Sequence, residues 1–241
     1  MLKYKIYHFN SLTSTQDKAK EFAKNGLSNA IILADVQTKG RGRFKREWYS
    51  SKDGLWVSIL LKPENIHNIQ YLTFAAAVSV VKSIKNITGL KTKIKWPNDV
   101  HYKGKKLCGI LTEGIFGNGS YVIVGIGLNV NQNKFPKDIN SIATSLKIIK
   151  KKSISTKKLT KAILNEFSSL YNNYYNKNKL KEITETWKKN CDTINKNITV
   201  TSKNKKIEGQ AIGIDNNCNL LLKLKNNTII KIIEGDIKIR Y

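Results

Sequence analysis

The longest weakly polar run in the chain, Tyr71 to Ile84, limits what the rest can be. Lys82 interrupts it, and it falls short of the roughly 20 apolar residues that a membrane-spanning helix needs. It reads instead as part of an apolar helix over Tyr71–Ile87, closed by Gly89, since glycine tolerates the left-handed geometry of a helix end. The N-terminus, Met1 to Tyr7, alternates polar and apolar residues like a strand and lacks the continuous apolar stretch of a signal peptide. Apolar residues are 40% of the 241, enough for a folded, soluble protein with one good-sized core and a small second domain.

Along the chain, residues 3–9 read as a strand. A helix follows that Ser14 or Thr15 can cap, with Ala19, Phe22 and Ala23 inside and Asn25-Gly26 as its stop. Ala30–Val36 is a short buried strand, 38–47 a glycine-rich basic segment, and Leu55–Leu61 a strand ended by Pro63. Beyond the apolar helix come Lys93–Trp96, a turn at Pro97-Asn98-Asp99, and paired strands Lys106–Glu113 and Tyr121–Val130 joined through Gly117-Asn118-Gly119. A polar connection after Gln132 leads to a helix over Thr156–Tyr175, with Leu159, Ile163, Leu164 and Phe167 on one side, and to a shorter helix over 179–190.

From residue 191 the pattern changes to short strands at Ile198–Thr201, Ile207–Ile214, Leu220–Lys225 and Thr228–Ile233, with Asn, Asp and Gly between them. The expected architecture is α+β: a mixed sheet flanked by helices over residues 1–190, then a small β-barrel-like module over 191–241.

The net charge of +26 invites a nucleic-acid reading. Against it, nearly all the basic residues are lysine, scattered through a chain crowded with asparagine and isoleucine, as AT-rich codons produce; charge of that kind bears on solubility and non-specific association. Arginine is rare, and three of its occurrences, Arg41, Arg43 and Arg46, fall in one short segment. A chain that uses lysine nearly everywhere keeps arginine where a planar, bidentate donor is needed. The three cysteines are far apart in sequence, which suggests neither a disulfide framework nor a zinc site and fits a reducing cytoplasm.

The segment Gln37-Thr-Lys-Gly40-Arg41-Gly42-Arg43 joins flexible glycines to forked guanidinium groups, suited to a phosphate or carboxylate. It is neither a P-loop nor a dinucleotide fingerprint, and a solvated loop is its bland alternative. Lys95-Trp96-Pro97-Asn98-Asp99 combines an enforced turn with ordering side chains, or is a strand end beside a buried tryptophan. Lys106 stands at the mouth of the apolar strand Lys106-Leu-Cys-Gly-Ile-Leu-Thr-Glu113, in which Cys108 reads as a small buried hydrophobe. Gly125-Ile-Gly127-Leu-Asn129 alternates glycine with apolar residues, a sign that a ligand or neighbouring strand comes close. His8, His67 and His101 are isolated, and nothing resembles a cluster of metal ligands.

In this order and spacing, Ser14-Thr-Gln-Asp17, the glycine–arginine segment with Trp48 after it, Lys95–Asp99, Lys106–Glu113 and Gly125–Asn129 resemble the bacterial biotin–protein ligases. The stretch Gly213–Leu222 looks like that family's SH3-like C-terminal domain, so the resemblance spans nearly the whole chain. Bifunctional members carry an N-terminal helix-turn-helix domain. Here the catalytic strand begins almost at Met1, so a monofunctional ligase without repressor activity is expected.

The resemblance implies that biotin's carboxylate attacks the α-phosphate of ATP, giving biotinyl-5′-adenylate and pyrophosphate, with Mg²⁺ accompanying the ATP. A lysine of a biotin carboxyl carrier domain, from a biotin-dependent carboxylase or decarboxylase, then takes the biotin and releases AMP. By the family pattern Lys106, Arg41 and Arg43 are catalytic. Ser14, Thr15, Gln16, Gln37, Gly42 and Gly109 join them in the biotin site, although related sequences commonly have asparagine where Gln16 stands. Arg46, Trp48, Trp96, Asn98 and Asn129, with Arg43 and Lys106, hold the nucleotide, and the 38–48 loop closes over the adenylate. No metal ligand, membrane or specific nucleic acid is expected, and a homodimer through a sheet edge is compatible with the chain. A lipoate–protein ligase shares the fold and the adenylate chemistry and is the nearest alternative. A nucleic-acid-binding module and a catalytically silent ligand-binding protein are the others.

Overall fold

The computed structural model describes residues 4–63, 68–116, 119–175, 180–202 and 205–239. Its first 190 residues build a seven-stranded sheet with helices on both faces. The elements are β1 (Lys5–Leu12), α1 (Thr15–Lys24), β2 (Ala30–Gln37), β3 (Leu55–Leu61), α2 (Gln70–Thr88), β4 (Lys93–Lys95), β5 (Asp99–Tyr102), β6 (Lys105–Ile115), β7 (Tyr121–Leu128), α3 (Leu146–Lys150), α4 (Thr156–Tyr175) and α5 (Leu180–Asn190). The sheet order is β1-β2-β3-β7-β6-β5-β4. β1 and β2 run parallel, with α1 as their crossover, and all other neighbours are antiparallel, so the sheet is mixed.

Period two divides the central strands between two layers. Ile31, Val57, Ile59, Leu61, Val122, Val124 and Ile126 face α2. Ala30, Ile32, Leu60, Tyr121 and Ile123 face the alanines of α1. Strand β3 (LWVSILL) is buried along its whole length because both faces are covered. The apolar helix α2 lies between the sheet and the pair α4 and α5, which accounts for burial on nearly all its sides. Phe74 of α2 and Trp187 of α5 stack with centroids 4.2 Å apart. Ser14 caps α1 by accepting from the Gln16 amide, and Gly89 closes α2 at φ +73.

A second sheet follows, made of β8 (Asn197–Ser202), β9 (Lys205–Ile214), β10 (Leu220–Lys223), β11 (Ile229–Ile232) and β12 (Asp236–Ile239). Its order is β11-β10-β9-β8-β12, antiparallel throughout. The barrel expected from the sequence is not closed: β11 and β12 are opposite edges, and no ladder joins them. Their registers explain this, since β11 pairs with β10 and β12 with β8 at the far side of the sheet.

Three elements were not legible beforehand. β5 follows directly on the turn at Pro97–Asp99, β12 closes the chain beyond the last strand read, and α3 sits in the stretch read as a polar connection. Of the turn expected at 117–119 only Gly119 is described, and His67 also lies outside the described residues.

The two sheets are tied by buried polar contacts. Trp96 donates its backbone N–H to Thr193 Oγ1 and its indole N–H to the Cys218 carbonyl at 3.0 Å, while the Tyr71 hydroxyl donates to the Asn216 carbonyl. Because Trp187 is fully buried and stacked, Trp187→Ala should lower unfolding free energy by about 3–5 kcal/mol, read by chemical denaturation.

Candidate active site

The part of the sheet under α1 ends at Ser58. One pleat beyond Leu60 and Ile123, Ser58 faces Gly125 and Trp56 faces Gly127 across β3 and β7. A cavity of about 560 Å³ opens there, with Ser14, Thr15 and Gln16 at the start of α1 on its rim.

At this end the polar groups form a closed network. Gln37 Oε1 accepts from the Thr15 backbone N–H at 2.8 Å and from Thr15 Oγ1 at 3.1 Å. Ser58 Oγ lies 2.8 Å from both Thr15 Oγ1 and Gln16 Oε1. Gln16 Nε2 donates to the Leu111 carbonyl, and Gln37 Nε2 donates to Ser50 Oγ. Gly125 makes the room for Gln16: a Cβ there would sit 2.8 Å from Gln16 Oε1. The network offers both donors and acceptors to a planar polar ligand.

The cavity floor is glycine. Gly109 and Gly127 are directly paired on β6 and β7, and the Trp48 indole lies on them. A Cβ on Gly127 would meet Trp48 Nε1 at 2.4 Å, and one on Gly109 would meet the six-membered ring at 3.1 Å. Trp48 in turn carries Lys106, whose Nζ lies 5.1 Å from an indole ring centroid. Lys106 Nζ is also 2.7 Å from an Asp99 carboxylate oxygen. A bulge in the β5–β6 pairing, between Val100 and His101, adjusts this corner of the sheet.

Residues 40–48 form a hairpin over the floor. Trp48 N–H donates to the Gly40 carbonyl and Gly42 N–H to the Arg46 carbonyl, with a single 3-10 turn over Arg43–Lys45 at the tip. Gly40 is required by close approach, since a Cβ would fall 2.4 Å from the Trp48 carbonyl oxygen. Each arginine is oriented by a different partner. Arg41 donates to Asp17 at 2.6 Å and lies 3.7 Å from Glu113. Arg43 donates to the Asn98 side chain at 3.2 Å, and burial pulls its pKa down. Arg46 makes a two-pronged pair with Asp236 of β12, and that bond holds the Asp236 carboxyl below its ordinary range. Burial works to raise Glu113, but Lys20, Gln16 and Arg41 outweigh it and hold this carboxyl low.

The facing wall comes from residues 135–143. Phe135, Pro136, Ile139, Ile142 and Ala143 present apolar surface, and Lys106 fastens the segment by accepting from Thr144 N–H and donating its own N–H to Ile142. Asn129 Nδ2 donates to the Thr144 carbonyl, so this side chain also secures the wall.

Every residue assigned to the site from the sequence lines this cavity except Trp96. Trp96 continues the core-facing register of Ile94 on β4, so its ring turns away from the cavity and is 2% exposed in the junction with the second sheet. The assignment of Trp96 to the nucleotide site is therefore corrected to a structural one. The sequence reading missed Ser58, the Asp99 partner of Lys106, the 135–143 wall and Asp236. Ser58 had a signal, as the polar member of an otherwise apolar strand, whereas Asp236 had none. Among the described residues, no group of three His, Cys, Asp or Glu side chains converges as a metal cradle.

Residues 8–131 match the model of the biotin/lipoate A/B protein ligase family, and residues 193–240 match that of the biotin protein ligase C-terminal domain. The bifunctional ligase/repressor BirA of Bacillus subtilis is 38% identical over 99% of this chain and 75% of that protein. The biotin–[acetyl-CoA-carboxylase] ligase of Mycobacterium tuberculosis is 33% identical over 50% of this chain and 46% of that protein. Among solved structures, the biotin protein ligase from Aquifex aeolicus in complex with biotin and ATP matches with a TM-score of 0.86 and 30% identity, covering 98% of each chain.

The glycine floor generates a direct test. Trp56, Trp96 and Trp187 are at most 2% exposed, so quenching of tryptophan fluorescence by acrylamide reports on Trp48. Gly127→Ala must lift the indole and should increase that quenching; unchanged quenching would mean that the ring does not rest on the glycine pair.

Proposed function

The chain belongs to the biotin/lipoate A/B protein ligase family, and on that premise we propose that it is an ATP-dependent biotin–protein ligase. It activates biotin to biotinyl-5′-AMP with release of pyrophosphate, then transfers biotin to a lysine of a carboxyl carrier domain. One observation carries the assignment of residues: a single cavity has a neutral donor–acceptor network at one end and Arg43, Arg46 and Lys106 at the other.

The neutral end suits the ureido ring of biotin, which both donates and accepts. Thr15, Gln16, Gln37 and Ser58 supply that mixture already oriented, so little is lost in ordering them. Arg41 Nε is buried and has no hydrogen-bond partner among the described residues, which leaves a donor for the ligand. Biotin's valeryl chain would run over the glycine floor toward Lys106, and the 135–143 wall would cover the adenosine.

The chemical difficulty of the first step is that a carboxylate must approach a triphosphate while charge builds on the α-phosphate oxygens. Fixed cations that lie closer to the transition state than to the separated reactants lower that barrier. Lys106 is held by Asp99 and Trp48, and Arg43 by Asn98, so both are aimed before the substrates arrive. In the second step the carrier lysine attacks the mixed anhydride and AMP leaves, with Lys106 again facing the departing phosphate. The described residues supply no metal cradle. Magnesium would accompany ATP as the counter-ion of its triphosphate, and no step here runs through it.

The carrier is read as a domain of a biotin-dependent carboxylase or decarboxylase. The catalytic unit is taken as residues 1–190 and the C-terminal unit as 191–241. A cytoplasmic setting accords with three free cysteines; among the described helices none is long and apolar enough to cross a membrane.

The test is pyrophosphate release with ATP and either biotin or lipoate, followed by labelling of a recombinant carrier domain. Biotin-dependent release and labelling are expected; release with lipoate alone would overturn the reading. Lys106→Ala should cut adenylate formation by about 10²–10³-fold with the thermal midpoint unchanged. Arg43→Ala should loosen the closing loop and let the adenylate escape, seen as biotin on bystander lysines; tight retention would contradict loop closure.

A further inference from the structure

Phe44 sits at the tip of the arginine hairpin in a conformation that disfavours it. Its backbone is left-handed at φ 56 and ψ 34, and Lys45 follows at φ 59. Side chains with a Cβ rarely adopt this geometry, and glycine would enter it without strain. The hairpin already uses glycine at positions 40 and 42, yet its tip carries a phenylalanine that is 52% exposed. Burial in a core does not account for such a residue.

What the ring touches is informative. Arg43 Cζ lies 4.7 Å from the ring centroid and Arg46 Cζ lies 5.7 Å from it. These two guanidinium groups carry like charge and repel each other, which contributes to the lowered pKa of Arg43. Their donor ends are fixed on different segments, Arg43 on Asn98 in the turn before β5 and Arg46 on Asp236 of β12. The aromatic face attracts both guanidinium groups and carries no charge of its own. With Asp236 already on Arg46, a second carboxylate at this tip would add negative charge against a triphosphate, which the ring does not.

We propose that Phe44 is a positioning residue for the adenylation step, its ring acting as an uncharged spacer that holds Arg43 and Arg46 apart and aimed into the cavity. This rests on the ligase reading above and adds a residue to its nucleotide end. The strained backbone is then the geometry that brings one ring against two arginines three positions apart in sequence.

Three variants test it by biotin-dependent exchange of pyrophosphate into ATP: Phe44→Ala, Phe44→Gly and Phe44→Tyr. Wild-type protein must first show the exchange; its absence would defeat the ligase reading rather than this proposal. With the ring removed, KM for ATP should rise about five- to tenfold, the loss of two cation–π contacts, while the thermal midpoint stays within a degree or so. Phe44→Tyr should restore wild-type KM. Phe44→Gly separates ring from backbone, because it relieves the strain and still deletes the spacer. A wild-type KM in Phe44→Gly would overturn the proposal. So would normal exchange in Phe44→Ala combined with lost transfer to the carrier domain, which would place the ring against the protein acceptor instead.

Discussion

Helix α1 is too short for the sheet it covers. Its ten residues reach about 15 Å, whereas the eight residues of β7 reach about 26 Å. Roughly two pleats of the α1-side face therefore have no helix above them, and those pleats carry Ser58, Gly125 and Gly127. An uncovered central sheet would expose apolar surface, and the chain meets this by folding the 40–48 hairpin and the 135–143 segment across the gap. Because both covers are loops, the space beneath them is a cavity. Because the floor is glycine, Trp48 can lie flat on the strands and carry Lys106 at the right height. The site follows from that mismatch in length.

Charge is organised differently inside and outside this cavity. The excess of +26 is spread over surface lysines, where solvent screens it. Around the cavity three of the cations are matched by carboxylates: Arg41 by Asp17 and Glu113, Lys106 by Asp99, Arg46 by Asp236. Gathering several half-buried cations without such partners would cost the desolvation of each and their mutual repulsion. The carboxylates offset both. They also hold the donors in fixed directions, so the free energy of binding an anion is not spent on ordering long side chains.

Much of this was legible in the sequence, for definable reasons. Arginine clustering stood out because the chain otherwise prefers lysine, and all three clustered arginines face the cavity. The Gly125-Ile-Gly127 alternation signalled a close approach, and the neighbour proves to be the indole of Trp48 together with the Gln16 side chain. What escaped depends on pairing over long separations. Asp236 meets Arg46 across 190 positions, and no local pattern encodes that. Residues 135–143 looked like a connection because their role is to be fastened by Lys106 and Asn129 rather than to form a regular element. Trp96 was misread because its motif was treated as a unit. The chain turns at 96–98 between β4 and β5, and across that turn the indole goes into the domain junction while Asn98 and Asp99 face the cavity.

That division within Lys95–Asp99 gives the C-terminal sheet its place in the architecture. Trp96 is fixed by Thr193 and Cys218, both beyond residue 190. Two positions later Asn98 orients Arg43, and Asp99 holds Lys106. Asp236 reaches the same neighbourhood from the opposite direction and orients Arg46. The C-terminal segment thus supports the cationic end of the cavity twice, once by fixing the buried Trp96 indole and once through the Asp236 carboxylate, while the neutral network around Gln16 is built from α1, the first sheet and Ser50. A shift of the second sheet would accordingly move the groups placed on the nucleotide more than the proposed ureido pocket, whose hydrogen bonds run among Thr15, Gln16, Gln37, Ser50, Ser58 and Leu111.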